Sequence, residues 1–153
     1  MEISDAILIG AKKRKQGFRN YFDIDWNLFN AYLYNQEITT MPDYDDSRFI
    51  CSCALGAAVE AVNAKIPFKF CSKTKNRFQE NSEAVLTFLI KQFPRLIERI
   101  PFAVANKYMK FDIPDDDPEY KDGFRIVDLI GNLNDNTRLS REQIAGILKE
   151  LGY

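Results

Sequence analysis

The 153-residue chain contains no histidine. That absence removes the commonest general base and the usual proton acceptor for a nucleophilic cysteine or serine. It also removes the imidazole found in most catalytic zinc sites. Cysteine is scarce and odd in number, at three, which gives no disulfide framework and fits reduced thiols in the cytoplasm. Seven glycines and six prolines are too few for a turn-dense β-sandwich. No apolar run approaches the roughly 20 residues of a membrane-spanning helix. The opening MEISDAILIGAKKRK places its charges after its apolar part and offers no small-residue cleavage site, so it does not read as a signal peptide. A net charge of -1 provides no global attraction to nucleic acid or an anionic membrane.

What is present is an ordinary globular balance, 46% apolar and 28% charged, in one expected domain over residues 1–153. The charge is segregated. Lys12, Lys13, Arg14, Lys15 and Arg19 form one basic run, and Lys65, Lys69, Lys73, Lys75 and Arg77 a second, with no acid between Glu60 and Glu80. Opposing them are Asp43, Asp45 and Asp46 in the polar stretch TTMPDYDDS, and the run Asp112, Asp115, Asp116, Asp117, Glu119 and Asp122, interrupted only by Lys121.

Periodicity predicts an all-α fold, a compact single domain of six or seven short helices around a central small-residue helix at about 52–64. Ser4 reads as the cap of a first helix from Asp5 to about Gln16, ended by Gly17, with basic residues suiting its C-terminal dipole. DWNLFNAYLYNQ places Trp26, Phe29 and Leu33 on one face. In the third helix Leu55, Ala58, Val59 and Val62 form an apolar stripe, and Gly56, Ala57, Ala58 and Ala61 permit close approach by neighbours, leaving Glu60 on a polar edge. KIPFKFCSKTK reads as a loop or one brief extended piece. Asn81 or Ser82 caps a fourth helix with Val85, Leu86, Leu89 and Phe93 inward, and Pro94 and Pro101 each suit a first helical turn. Phe124 to Leu133 reads as a short apolar helix. Ser140 with Gln143 forms a capping box for a final helix that Gly152 stops.

The pairing of CALGAA, Cys53 to Ala58, with NLNDNTRLSREQIAGIL, Asn132 to Leu148, resembles an uncharacterised family of small bacterial and phage domains. These have a Cys-Ala-x-Gly-Ala helix and a C-terminal Asn-Asp turn before a capped helix. The resemblance covers about a third of the chain and implies a fold unit without an activity. It links Cys53 with Asn134 and Asp135.

Cys53 at a helix start is placed where free backbone N–H groups favour a thiolate, so it is the candidate nucleophile of an acyl-transfer enzyme. Such chemistry needs a base, and an unusual one must replace the missing imidazole. The opposing reading makes Cys53 a small buried apolar residue, with Asn134 and Asp135 satisfying backbone groups in a turn. Cys51, Cys53 and Cys71 lack structural-zinc spacing. DDDPEYKDGFRI, from Asp115, departs from a calcium loop at Tyr120 and Ile126. No metal and no cofactor is therefore expected. Lys65, Lys69, Lys73, Lys75 and Arg77, interleaved with Phe68, Phe70 and Phe78, have the composition of a weak single-strand nucleic-acid groove. LSREQIAGILKELGY opens like a helix-turn-helix but lacks a recognition helix.

The expectation drawn from these features is a non-enzymatic, cytoplasmic protein-interaction module, a phage-type binder or inhibitor. Asp43, Tyr44, Asp45, Asp46, Asp115, Asp116, Asp117, Glu119 and Tyr120 would meet a basic partner surface, the tyrosines serving as aromatic anchors.

Overall fold

Small side chains let backbones approach, and the third helix is the place where this chain uses them. In the computed structural model the described residues are 1–35, 49–63, 71–74, 77–109, 118 and 121–153, with residues 33, 35, 71–74 and 77–80 described by their backbone. Helix α3, Ala54–Val62, is buried from Ala54 through Glu60. Helix α1, Ile3–Ala11, crosses it so closely that a Cβ on Gly10 would stand 1.8 Å from the Ala57 carbonyl oxygen. On another side, a Cβ on Gly56 would stand 2.0 Å from the Tyr21 carbonyl oxygen. These two positions require glycine for space, not for an unusual φ.

The other described helices pack around this pair. They are α2 Trp26–Asn35, α4 Ser82–Gln92, α5 Phe102–Ala105, α6 Ile126–Asp135 and α7 Arg141–Glu150. A 3-10 turn at Pro94–Ile97 follows α4 and has proline in its first turn. The main core joins Ile3, Ile7, Ala58, Val59, Val85, Leu89, Leu96, Leu129, Ile130, Leu133, Ile144 and Leu148. Residues from both ends of the chain therefore share one interior. A smaller cluster of Ile24, Phe29 and Phe49 has Tyr32 against it, with the Phe29 and Phe49 rings edge to face at 5.3 Å.

The fold is mostly helical, but the all-α expectation is corrected. Among the described residues there are three two-stranded antiparallel pairings. β1, Phe22–Ile24, pairs with β2, Ile50–Ser52, in the register Phe22↔Ser52 and Ile24↔Ile50. β3, Cys71–Thr74, pairs with β4, Arg77–Glu80, and β5, Arg99–Ile100, with β6, Phe124–Arg125. Each strand spans two to four residues, too short for a period-two pattern to rise above the helical one.

Three boundaries also shift. α1 begins at Ile3 with Glu2 at its cap, so Ser4 is a buried helical residue and not the capping one. The helix ends at Ala11, which leaves Lys13 to Lys15 outside it. Ser52 belongs to β2 and Cys53 occupies the cap of α3. On α2, Phe29 turns inward, but Trp26 is 51% exposed and meets Phe29 only edge-on. The capping box of α7 is present as expected: Gln143 N–H donates to Ser140 Oγ at 3.2 Å and Ser140 N–H to Gln143 Oε1 at 2.8 Å. Gly152 follows with φ 84°.

The α1–α3 crossing yields a direct test. Gly10→Ala forces a methyl against the α3 backbone, and backbone cannot swing aside as a side chain can. The substitution is expected to lower unfolding free energy by about 2 kcal/mol or more in urea titration, although alanine is the better helix former.

Candidate functional site

The residues around the cysteine pair are held from inside by charge. Ser52 is fully buried, and its backbone N–H donates to the Lys15 carbonyl at 3.1 Å while its carbonyl accepts from Gly17 N–H at 2.8 Å. Arg141, only 5% exposed, reaches the same point from α7. Its Nη1 donates to the Ser52 carbonyl at 3.3 Å and to Ser52 Oγ at 3.2 Å. Its Nη2 donates to the Ala11 carbonyl at 3.3 Å and to the Arg14 carbonyl. Ala11 is the last residue of α1, so the guanidinium satisfies a helix-end carbonyl and sets a cation at the negative end of the helix dipole. Burial pushes the Arg141 guanidinium below its ordinary value.

Glu60 completes the cluster. It is 3% exposed, forms an ion pair with Arg14, and lies 3.4 Å from Ser52 Oγ, which donates to it. Lys13 Nζ donates to its backbone carbonyl at 2.5 Å. The basic run after α1 is therefore partly drawn inward to a buried carboxylate, and Glu60 does not lie on a solvated edge. A carboxylate in the middle of a small, apolar helix was the signal available in the sequence. Nothing there named Arg141 as its neighbour.

One step along the chain, Asn134 performs the next fixation. It lies in the last turn of α6 and is 1% exposed. Its Oδ1 accepts from Ala54 N–H and from Gln16 Nε2, both at 3.1 Å. Its Nδ2 donates to the Gly17 carbonyl at 3.1 Å and to Asp135 Oδ1 at 2.7 Å. Every hydrogen-bonding capacity of the amide is thus engaged. Asp135 Oδ1 also accepts from Arg19 N–H at 2.8 Å. The Asn-Asp pair does lie beside Cys53, and it ties the start of α3 to the loop after α1.

Both described cysteines are buried thiols, each 8% exposed. Cys51 Sγ donates to the Asp23 carbonyl at 3.4 Å, and burial, followed by the nearby Asp23 and Asp25 charges, pushes its pKa up. Cys53 Sγ accepts from Gly56 N–H at 3.4 Å and so caps α3. Cys53 also borders a cleft of about 580 Å³ that lies over α6. The cleft is bounded by Arg19 to Tyr21, by Leu55, by Ser82 and Leu86 of α4, and by Phe124 and Arg125. Its α6 wall consists of Val127, Asp128, Gly131, Asn132, Asp135 and Asn136. Asp128 is engaged by Arg125, whose Nε and Nη2 donate to it at 2.6 and 2.9 Å.

Most of the other sequence candidates fall outside the described residues. These are Asp43, Tyr44, Asp45, Asp46, Asp115, Asp116, Asp117, Glu119 and Tyr120 of the acidic segments, and Lys65, Lys69 and Lys75 of the basic one. Lys73 and Arg77 lie on β3 and β4, opposite Phe78 and Thr74 in the ladder. Among the described residues, no group of three or more cysteines and carboxylates is arranged to hold a metal ion. No described helix is long and apolar enough to cross a membrane. Comparisons with protein-family models, curated proteins and solved structures gave no match to this chain.

Two measurements test this geometry. Asn134→Ala strands the Ala54 N–H and the Gly17 carbonyl, and is expected to cost about 3 kcal/mol in unfolding free energy by urea titration. For the thiols, site-resolved alkylation followed by mass spectrometry is expected to be slow at Cys51 and Cys53 until denaturant is added. The onset at Cys51 should come above the pH set by a free thiol of pKa about 8.5, because its raised folded-state pKa keeps it protonated. Rapid labelling of native Cys53 at neutral pH would contradict its placement as a packed cap.

Proposed function

We propose that this chain is a non-enzymatic, cytoplasmic protein-interaction module, a binder or inhibitor that docks on a basic partner. One observation carries the reading. The polar groups beside Cys53 that proton transfer would require, the Asn134 amide and the Asp135 carboxylate, are bonded to backbone and to each other. A cleft built this way recognises shape and hydrogen-bonding pattern and has no base held in waiting.

The charge distribution supports the choice of partner. The acidic run Asp112 to Asp122 leads along the chain directly into Phe124 and Arg125, which form one edge of the cleft. Docking would therefore bring the clustered carboxylates and the cleft to the same partner surface. Charge of one sign at such a mouth accelerates encounter and selects against acidic competitors.

The test compares the wild-type chain with Asp115→Lys/Asp116→Lys/Asp117→Lys, both immobilised and exposed to lysate. The wild type is expected to retain a discrete partner at low salt and release it as salt rises. The triple variant is expected to lose that partner with an unchanged far-ultraviolet circular dichroism spectrum. Equal retention by the folded triple variant overturns the assignment.

A further inference from the structure

We infer that the cleft over α6 takes a short, extended, basic polypeptide segment of the partner, its main chain laid along a ladder formed by Asp128, Asn132 and Asn136. This rests on the interaction-module reading and names what that module grips.

The three residues stand four apart on α6 and its C-terminal cap, and all three line the cleft. Four helical residues advance about 6 Å along the axis. An extended chain presents same-facing groups every second residue, about 6.6–6.8 Å apart. The two repeats are close enough for three successive rungs to meet three same-facing peptide groups. The mismatch, under about 1 Å per rung, accumulates along a longer contact. The gripped length is therefore about five residues, the three facing the ladder and the two between them. Each asparagine amide both donates and accepts, as the peptide unit does. Asp128 adds an acceptor at the end where Arg125 already holds it.

The central rung provides an independent indication. Asn132 Oδ1 is buried in the cleft wall without a hydrogen-bond partner among the described residues. An orphan buried acceptor of this kind costs about 1–3 kcal/mol, and a peptide N–H entering the cleft would satisfy it. Next to it, Gly131 lines the cleft, and a Cβ built there meets nothing within 4 Å. A helix-interior glycine costs about 1 kcal/mol relative to alanine, and no packing neighbour demands this one. Its effect is to deepen the cleft beside the orphan acceptor, where a ligand main chain would approach. Gly146 in α7 is equally uncrowded but does not line the cleft. The coincidence of Gly131 with Asn132 is what points to a ligand.

Charge sets the class of segment. The acidic run enters the cleft edge through Asp122, and Asp128 and Asp135 lie on the wall. A basic segment complements them. Leu55 and Leu86, on the sides facing α6, leave room for an apolar residue between its basic ones.

The experiment uses the full chain and a displayed library of random linear peptides. Selection on the wild type is expected to enrich lysine- or arginine-containing sequences. The best of these, made synthetically, should bind at least about tenfold more weakly to Gly131→Phe and to Asn132→Leu. Both variants should keep the wild-type circular dichroism spectrum. N-methylation of each peptide bond in turn should weaken binding at alternate residues. Absence of enrichment, equal binding to the folded Gly131→Phe chain, or losses recurring every third or fourth residue as in a bound helix overturns the inference. Lysate capture separates it from the reading beneath. A partner lost on reversal of Asp115 to Asp117 but kept by Gly131→Phe leaves the interaction module standing without the ladder. A partner kept by both variants removes the module itself.

Discussion

A single buried guanidinium sets the positions of everything near the cleft. Arg141 joins the end of α1, the strand β2 and the start of α7 through carbonyls of Ala11, Arg14 and Ser52. Removing such a group from water is costly unless its donors are engaged and its charge is opposed. Here the fork of donors meets backbone acceptors, and Glu60, paired with Arg14, lies on the far side of Ser52 Oγ. Because Ser52 is held, Cys53 and Ala54 are held in turn. Cys53 N–H donates to the Tyr21 carbonyl at 3.1 Å, and Ala54 N–H to Asn134. The wall of the cleft is thus fixed by bonds made behind it.

Helix α6 divides its labour between two amides two residues apart. Asn134 faces the interior and is saturated by backbone and side-chain partners. Asn132 faces the cleft with its carbonyl oxygen unsatisfied. A separation of two residues turns a side chain by about 200° around a helix axis, so one helix can brace the fold and present a polar ridge. Cys53 lies on the braced side of this division. Its sulfur replaces the oxygen of an ordinary N-cap residue and accepts a backbone N–H in a buried setting.

What the sequence made legible was whatever depends on local spacing. The Ala-rich stripe, the asparagine cap at Asn81, the prolines at helix starts and the Ser140–Gln143 box each involve residues within a few positions, and each appears in the structure. The short strands were hidden because two or three residues carry no period. Ser4 misled because a serine ahead of an apolar run looks like a cap whether or not the helix has already begun. The polar cluster was illegible for a different reason. Arg14, Ser52, Glu60 and Arg141 are far apart in the chain, and each alone looks like an ordinary surface residue. The ladder was in plain view as an i, i+4, i+8 row, but its meaning depended on knowing which face of α6 stays open.

The bond from Arg141 to Ala11 spans 130 residues. During synthesis at roughly 5–20 residues per second, the first helix would wait on the order of ten seconds before the group that caps it existed. In that interval Ile3, Ile7 and Gly10 could not be sealed by the final helix, and Glu60 would meet Arg14 without the second cation nearby. Long-range closure of this kind slows folding relative to bundles built from neighbouring contacts. The nascent chain is therefore expected to emerge as a partly collapsed intermediate that depends on ribosome-associated chaperones. Its cleft would take shape only after the last helix is made.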